Sequence, residues 1–428
     1  MKAFVYTLGC KVNQYDSQEM ISLLKNNGYS ISDNKHNCDI YIVNSCTVTA
    51  ESSRKTRQAV RKFKSENKDS VVVLTGCFSQ AFAEDAASIP EADIVLGNNT
   101  NYRLIEHLNA FKNKKERIID VVPHTIGEKY CGKAIDTFDG HTRAFIKIQD
   151  GCNRYCSYCI IPKARGFSRS RPLDDIKNEL TALADLGYKE IVFVGINLSS
   201  YGKDNGTTIC DALKLAEETP GIERFRLGSL EPDHITDDVI EQLSKMKKFC
   251  PQFHLSLQSG CNRILKRMNR HYTAEEYFEL CSKLKTAFSD ISLTTDIIVG
   301  FPGESDEDFN ETVAFVKKCG FMKVHVFPFS PREGTPAFNY TDKINNSVKA
   351  MRCSLLQKEC DSIREQFMKK MLGQTINVLF ETPKGNIQQG YTENYTPVTV
   401  NHSCNLTGRI LPVKIISVTE DCCLGELA

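Results

Sequence analysis

The chain has 428 residues, of which 41% are hydrophobic and 25% are charged. This is the composition of an ordinary soluble globular protein, and the length allows two to four domains. The formal net charge of +1 excludes a uniformly basic nucleic-acid-binding protein, so any such surface must be local.

The expected location is the cytoplasm. The opening segment is too short and too polar for a signal peptide, and no apolar run approaches the length of a bilayer span. Disulfides are rare in a reducing compartment, so the eighteen cysteines favour metal or redox chemistry over structural cross-links.

Residues 1–115 alternate between strand and helix patterns and are predicted to form the first domain. This order predicts a doubly wound parallel sheet with helices on both faces. The predicted strands are 2–7, 40–44, 71–75 and 94–96, and the predicted helices are 15–26, 50–64, 81–88 and 102–111.

Three cysteines of this domain, Cys10, Cys46 and Cys77, each follow the end of a predicted strand after a small residue. Ligands of open parallel sheets bind outside the carboxyl ends of the strands. The pattern therefore predicts a shared metal site with three thiolates. Three unrelated loop cysteines are the alternative.

The second predicted helix of this domain carries six cations within eleven residues. Such a run is typical of a solvated helix face, but its density also suggests a phosphate-binding surface. The cations are Arg54, Lys55, Arg57, Arg61, Lys62 and Lys64.

After a predicted linker at 116–140, the spacing C-x₃-C-x₂-C places Cys152, Cys156 and Cys159 in one loop. A [4Fe–4S] cluster normally has four cysteine ligands, so three leave one iron open to bind a small molecule. Zinc sites usually add a second pair of ligands, and residues 160–171 contain no Cys or His. A chance grouping among eighteen cysteines is the other alternative.

Residues 141–370 are predicted to form a partial (β/α)₆ barrel. The predicted strands are 143–149, 190–194, 224–228, 253–257, 291–299 and 323–329, with helices at 173–186, 211–218, 237–247, 274–287 and 307–318. Sites on such barrels lie at the carboxyl ends of the strands, where small and polar residues recur. The candidates for cofactor contacts there are Gly195, Asn197, Ser229, Glu231, Gln258, Val299 and Gly300.

Two basic segments flank this end of the barrel. Either could neutralise nucleic-acid phosphates, and plain solubility is the alternative. The first contains Lys163, Arg165, Arg169 and Arg171, and the second contains Lys266, Arg267, Arg270 and His271.

Residues 371–428 change to short β-like runs at 375–380, 387–391, 395–400 and 411–418. This spacing predicts a small all-β barrel, a class that often binds RNA. The segment holds three Lys or Arg against five Asp or Glu, so RNA contacts there would have to be aromatic, polar or from the backbone. Tyr391 and Tyr395 could stack on bases or belong to the core.

Taken together, these motifs resemble the radical S-adenosylmethionine (SAM) methylthiotransferases over nearly the whole chain, and the tail resembles their RNA-binding TRAM domain. Within that family, Lys11-Val12-Asn13-Gln14 and Thr47-Val48-Thr49 are most similar to the branch that acts on N6-threonylcarbamoyladenosine of tRNA. The motifs are TLGCKVNQ at 7–14, NSCTVT at 44–49, TGC at 75–77, QDGC at 149–152, SLQSG at 256–260, DIIVGFPGE at 296–304 and FSPREGTPA at 329–337.

The resemblance implies an α/β transferase with two [4Fe–4S] clusters, one on each cysteine trio, and SAM near Tyr158. In the family, the cluster of the C-x₃-C-x₂-C loop reduces SAM to a radical that removes hydrogen from adenine C2, and the other cluster carries the sulfur. A second SAM supplies the methyl group.

The implied partners are a tRNA substrate, an electron donor and a sulfur donor, with no membrane. Three alternatives remain open: methylthiolation of isopentenyladenosine in tRNA, methylthiolation of a ribosomal protein residue, and an iron–sulfur or zinc protein that binds RNA without catalysis.

Overall fold

The computed structural model describes residues 1–132, 135, 142–381 and 383–428. Within these residues the chain forms a parallel sheet flanked by helices, then a curved set of parallel strands with helices outside it, then a small closed barrel. The predicted α/β fold class with its three parts is therefore confirmed. In the same residues, no helix has both the length and the apolar character needed to cross a membrane.

The first sheet is parallel throughout. Its two central strands, Ile40–Ser45 and Val71–Gly76, are buried along their whole length, as expected for a sheet covered on both faces. Among the described residues, the strands lie in the spatial order Ser30–Ile31, Lys2–Thr7, Ile40–Ser45, Val71–Gly76, Ile94–Leu96 and Ile118–Asp120. The helices are Lys11–Asn26, Ala50–Glu66, Cys77–Ala81, Ala83–Ala87 and Leu104–Lys114, with a 3₁₀ turn at Asn101–Arg103.

Two edge strands of this sheet were not predicted. Ser30–Ile31 and Ile118–Asp120 have two and three residues, which is too short for an alternating pattern to be visible in sequence. The second of them lies beyond the predicted boundary at residue 115, inside the predicted linker. Residues 133–134 and 136–140 of that linker lie outside the described residues, and the domain boundaries stay a prediction.

Each of the six predicted barrel strands has a counterpart in the described part of the chain. Ala144–Lys147 pairs with Glu190–Val194, which pairs with Arg224–Leu227; the next strands, Ser229–Leu230, Gln252–Leu255, Ser292–Val299 and Lys323–Pro328, also pair in parallel. Gln149–Asp150 and Arg169–Ser170 form a short antiparallel pair beside the cysteine loop.

The helices on the outside of these strands bury their apolar faces in one continuous core that includes Phe193, Phe225 and Phe253. Capping boxes fix several helix starts, such as Thr273 with Glu276. The helices are Ile161–Arg165, Leu173–Asp185, Ile209–Glu218, Asp237–Ser244, Asn262–Arg267, Ala274–Ala287, Asp306–Cys319 and Asn346–Lys369, with 3₁₀ turns at Leu198–Ser200, Pro232–His234 and Pro336–Asn339.

The C-terminal unit is a closed barrel. Its strands in the described residues follow the order Thr375–Phe380, Ile387–Thr392, Pro397–Asn401, Cys423–Leu427 and Ile410–Val418. The strand Cys423–Leu427 was not predicted, yet it closes the barrel by pairing with both Pro397–Asn401 and Ile410–Val418. Its first residue, Cys423, is fully buried in the barrel core, where free cysteine acts as a small apolar side chain.

Candidate active site

The cysteines of the first trio come to one edge of the first sheet. Cys10 follows the strand Lys2–Thr7 and caps the helix that begins at Lys11, while Cys46 and Cys77 directly follow the two central strands. These three strands are neighbours in the sheet, so their ends coincide. Burial, together with the nearby thiols of Cys77 and Cys10, raises the pKa of Cys46 to about 11, which places the three sulfurs within electrostatic reach of one another.

The backbone around this trio is shaped for close packing of sulfur. Gly9 has a φ of 109°, and a Cβ there would lie 3.1 Å from Cys46 Sγ, so only glycine fits. Desolvation by the surrounding chain raises the pKa of the Cys10 thiol, whereas Arg165 and the backbone N–H groups of Asn13 and Val12 lower it. Amide N–H groups aimed at sulfur stabilise thiolates, which are the form that binds metal.

The second trio follows the strand Gln149–Asp150. Gly151 turns the chain with a φ of 73°, and a Cβ there would lie only 1.9 Å from the carbonyl oxygen of Phe167. Burial raises the pKa of Cys152 to about 11 and raises that of Cys159 further, in the latter case with the help of Cys156 and Cys152.

Backbone N–H groups act against this rise. That of Arg154 lowers the pKa of Cys152, and that of Ile161 lowers the pKa of Cys159. All eighteen cysteines, which lie within the described residues, are free thiols. Two trios of unbridged thiols, each with backbone N–H groups that favour the thiolate, fit the three-cysteine ligation of an iron–sulfur cluster.

A buried arginine joins the two trios. Arg165 lies on the helix that follows the second trio, yet its Nε is 3.3 Å from Cys77 Sγ of the first. It also pairs with Asp16 at 2.7 Å and with Asp150 at 3.2 Å. A guanidinium in this position offsets the negative charge that three thiolates would bring.

Arg270 contacts the second trio in the way that Arg165 contacts the first. Its NH1 lies 3.1 Å from Cys156 Sγ, and its other amino group is ion-paired with Glu231. Glu231 in turn lies 3.4 Å from Arg154. The carboxylate predicted to contact a cofactor is thus engaged by two arginines.

Asn197 carries a buried polar atom that fits a bound ligand. Its Nδ2 lies 3.8 Å from Cys152 Sγ, and its backbone N–H donates to Gln149 Oε1. Its Oδ1 is buried and has no hydrogen-bond partner among the described residues. Because buried acceptors are nearly always paired, a donor such as an ammonium or a hydroxyl of a ligand beside Cys152 would satisfy it.

The main cavity of the site has a volume of about 780 Å³ and is lined by all three parts of the chain. The first domain contributes Cys10 and Lys11, and the C-terminal barrel contributes Tyr391 and Tyr395. These two tyrosines stack on each other, with ring centres 4.5 Å apart. A space of this size is typical of small-molecule sites.

Polar side chains from the inner faces of the barrel strands also line this cavity, and sequence reasoning missed them. His254 Nε2 lies 3.3 Å from Asp296, and His325 lies beside them. They alternate with buried apolar residues along their strands, and this period-two pattern is visible in the sequence. The sequence does not show that the strands close around a cavity.

The predicted cofactor contacts fall in different places. Gly195 and Ser229 line the cavity, whereas the others do not belong to its described lining. Tyr158 packs against Phe301, with ring centres 6.5 Å apart. Gln258 donates its backbone N–H to the Asp296 carbonyl at 2.9 Å.

The last two predicted contacts follow one strand. Val299 is buried at the end of Ser292–Val299. The N–H of Gly300 donates to Glu304 Oε2 at 2.7 Å.

Most of the basic residues that follow the second cysteine trio are not at the protein surface. Arg165, Arg169 and Arg171 are at most 8% exposed and form internal ion pairs, such as that of Arg171 with Glu179. The prediction of a phosphate-binding or solubilising role was wrong for these residues. The spacing of charges in sequence does not show that acidic partners from other elements enclose them.

The basic helix Ala50–Glu66 is exposed but largely neutralised. Five of its six cations pair with carboxylates, as Lys64 does with Asp93 at 2.8 Å. The sixth, Arg57, lies over the ring of Phe78. The other pairs are Arg54 and Lys55 with Glu51, Arg61 with Glu91, and Lys62 with Glu66.

Comparison with known proteins places the chain in a family. Residues 146–316 match the Radical SAM superfamily and residues 2–97 match the uncharacterized protein family UPF0004. The solved structure of the radical SAM methyltransferase TsrM from Kitasatospora setae covers 79% of this chain, which spans 77% of that one, with a TM-score of 0.59 at 14% identity. At that identity the likeness shows the fold alone.

Two curated relatives match almost from end to end. One, from Thermotoga maritima, is 37% identical over 97% of this chain and 95% of its own length and is named threonylcarbamoyladenosine tRNA methylthiotransferase MtaB. The other, from Clostridium tetani, is 36% identical over 99% and 95% and is named tRNA-2-methylthio-N(6)-dimethylallyladenosine synthase. The chain therefore belongs to the radical SAM methylthiotransferase family, which consists of transferase enzymes that use SAM and [4Fe–4S] clusters.

Proposed function

We propose that this protein is a tRNA methylthiotransferase that converts N6-threonylcarbamoyladenosine next to the anticodon into its 2-methylthio derivative. The observation that carries the proposal is the pair of cysteine trios, linked through Arg165, beside a cavity that Cys10 lines. The relatives' names and the Lys11-Val12-Asn13-Gln14 motif support the choice of substrate.

In this proposal, Cys152, Cys156 and Cys159 would hold the cluster to which SAM binds, and Cys10, Cys46 and Cys77 would hold the other cluster. When bound, these groups supply the radical chemistry and the sulfur atom that adenine C2, an unreactive aromatic carbon, requires. Unlike side-chain acids and bases, they can act on a C–H bond that is neither acidic nor electrophilic.

The chain's own residues hold the reactants. Arg270 beside Cys156 and Arg165 beside Cys77 offset the charge of the thiolates. The unpaired Oδ1 of Asn197 would accept a hydrogen bond from SAM bound beside Cys152.

Dimethylallyladenosine of tRNA is the second candidate substrate. It is favoured by the relative from Clostridium tetani, which is nearly as similar to this chain as the one from Thermotoga maritima. Overall sequence identity therefore does not distinguish the two candidate substrates. The choice between them must depend on particular residues in the cavity.

The test is nucleoside analysis by mass spectrometry of total tRNA from cells with and without the gene. We expect the deletion strain to lose 2-methylthio-N6-threonylcarbamoyladenosine, to accumulate N6-threonylcarbamoyladenosine, and to regain the product on complementation. Loss of the dimethylallyl product instead would establish the second candidate. Unchanged tRNA nucleosides would contradict both.

We also infer that the enzyme acts in the cytoplasm, where its tRNA substrate is found and where free thiols persist. The reaction additionally needs an electron donor and a sulfur donor.

A further inference from the structure

Lys11 presents an unpaired positive charge to the cavity. It is the first residue of the helix Lys11–Asn26, directly after Cys10, and it lines the cavity together with that cysteine. Among the described residues, no carboxylate oxygen lies within 4.0 Å of its Nζ. The Nζ lies 5.8 Å from the centre of the Phe145 ring.

The charges around Lys11 do not neutralise it. Arg143 and Arg226 repel its ammonium group and Glu190 attracts it. Glu190, however, is already bound by Arg226 at 2.7 Å and by Arg224 at 2.5 Å. Glu190 is therefore committed to arginines, and Asp296, which also lines the cavity, lies 3.3 Å from His254 Nε2.

Lys11 is exposed in the free protein, so water solvates its ammonium group there. A nucleoside that filled the cavity would displace that water, and the charge would then be unfavourable unless the nucleoside supplied the opposite charge. The two groups that the relatives' names place on adenosine differ in this respect. The threonylcarbamoyl group ends in a carboxylate, whereas the dimethylallyl group is a neutral hydrocarbon.

We propose that Lys11 binds the carboxylate of the threonylcarbamoyl group and thereby selects the anionic nucleoside over an uncharged one. This rests on the proposed function. The selection has two parts: Lys11 attracts the carboxylate, and it would be left desolvated and unpaired beside a hydrocarbon. The cavity, at about 780 Å³, is large enough for the modified nucleoside.

The test measures binding of stem-loop RNA to anaerobically prepared holoenzyme. Wild type, Lys11→Gln and Lys11→Arg are each titrated with three RNAs that carry, next to the anticodon, N6-threonylcarbamoyladenosine, its carboxyl methyl ester or plain adenosine. We expect wild type to bind the acid about 10- to 100-fold more tightly than the ester, as for a hydrogen bond to a charged group. Lys11→Gln should lose this preference, and Lys11→Arg should retain most of it.

Controls separate Lys11 from general effects. Lys68→Gln removes the same charge from an exposed lysine outside the cavity and should bind all three RNAs like wild type. Iron content and SAM cleavage without RNA report whether the Lys11 variants retain their cofactors. If Lys11→Gln loses iron, the acid–ester comparison on wild type and Lys11→Arg decides the question.

Three results would overturn the inference. Wild type could bind the ester as tightly as the acid. Lys11→Gln could weaken all three RNAs equally, which would mean a phosphate contact. It could also keep the wild-type preference. Failure of wild type to methylthiolate the threonylcarbamoyl RNA would instead refute the proposed function, whatever the binding data show.

Discussion

At the scale of single residues, each cysteine trio is paired with one buried arginine from a distant part of the sequence. Arg165 contacts Cys77, 88 residues away, and Arg270 contacts Cys156, 114 residues away. A third arginine, Arg332, reaches Thr47 at 2.7 Å in the loop after Cys46. These cations make the two trios electrostatically alike, although their chemical roles in the proposal differ.

The difference in role predicts different phenotypes for two single substitutions. Cys156→Ala removes a ligand of the proposed SAM-binding cluster, so both SAM cleavage and tRNA modification should fall by at least ~100-fold. Cys46→Ala removes a ligand of the other cluster, so SAM cleavage should persist while methylthiolation is lost. The measurement is 5′-deoxyadenosine and modified nucleoside from one anaerobic reaction.

Cys131→Ala is the matched control, because Cys131 is an exposed thiol outside both trios, and both products should form as in wild type. Full methylthiolation by Cys46→Ala would refute the division of labour between the trios.

At the scale of elements, the C-terminal barrel docks on the central strands through buried charge. Arg224 and Arg226 of one strand donate to the carbonyl oxygens of Tyr391 and Glu393, each at 3.0 Å. Glu190 on the neighbouring strand binds both arginines. The docking positions the stacked pair Tyr391 and Tyr395 in the wall of the cavity.

This network predicts a pH dependence of stability. Burial alone would raise the pKa of Glu190, but Arg226 and Arg224 outweigh it and lower the pKa to about 2. Because this is below the unfolded value of about 4.3, the stabilisation is complete above that value and is lost as the pH falls toward 2. The advantage of wild type over Glu190→Gln should shrink by about 3 kcal/mol across this window.

Urea unfolding of both proteins at a series of pH values between 6 and 2.5 measures this effect. Glu223→Gln serves as the control, since Glu223 pairs with Lys189 on the surface, and its difference from wild type should stay small throughout. A difference between wild type and Glu190→Gln that does not change with pH would contradict the assignment.

At the scale of the whole molecule, one loop ties the two trios to a fixed arrangement. In the loop after the strand Lys323–Pro328, Ser330 Oγ accepts from the N–H of Ala50, next to the first trio. The N–H of Ala337 in the same loop donates to the carbonyl of Ser157, inside the second trio's loop, at 2.8 Å. This loop therefore contacts the surroundings of both trios.

Two separate clusters predict a simple stoichiometry. Anaerobically reconstituted wild type should contain about eight iron atoms per chain, and a variant with all three cysteines of either trio changed to alanine should contain about four. Iron and acid-labile sulfide analysis provides the measurement. About four irons in wild type, or none in either triple variant, would rule out two independent three-cysteine sites.

The sequence by itself determined the fold class and most strands, and it predicted six cysteines as cluster ligands. These predictions depend on local signals. Buried strands are apolar runs in the sequence, and the trio at Cys152, Cys156 and Cys159 lies within eight residues. Where the local signal is weak, prediction failed. The edge strands are too short, and the helix Asn346–Lys369 buries few of its side chains, among them Leu356 and Cys360.

Only the tertiary structure decided which residues surround those ligands. Nothing in the segment around Arg165 shows that it is buried against Cys77, or that Lys11 lacks an acidic partner while Arg143 does not. Charge pairing and cavity walls depend on distances between elements far apart in sequence, and packing sets those distances. The sequence therefore indicated the kind of chemistry at the site. The charge pairing around the site and the residues that line its cavity depend on how the chain folds.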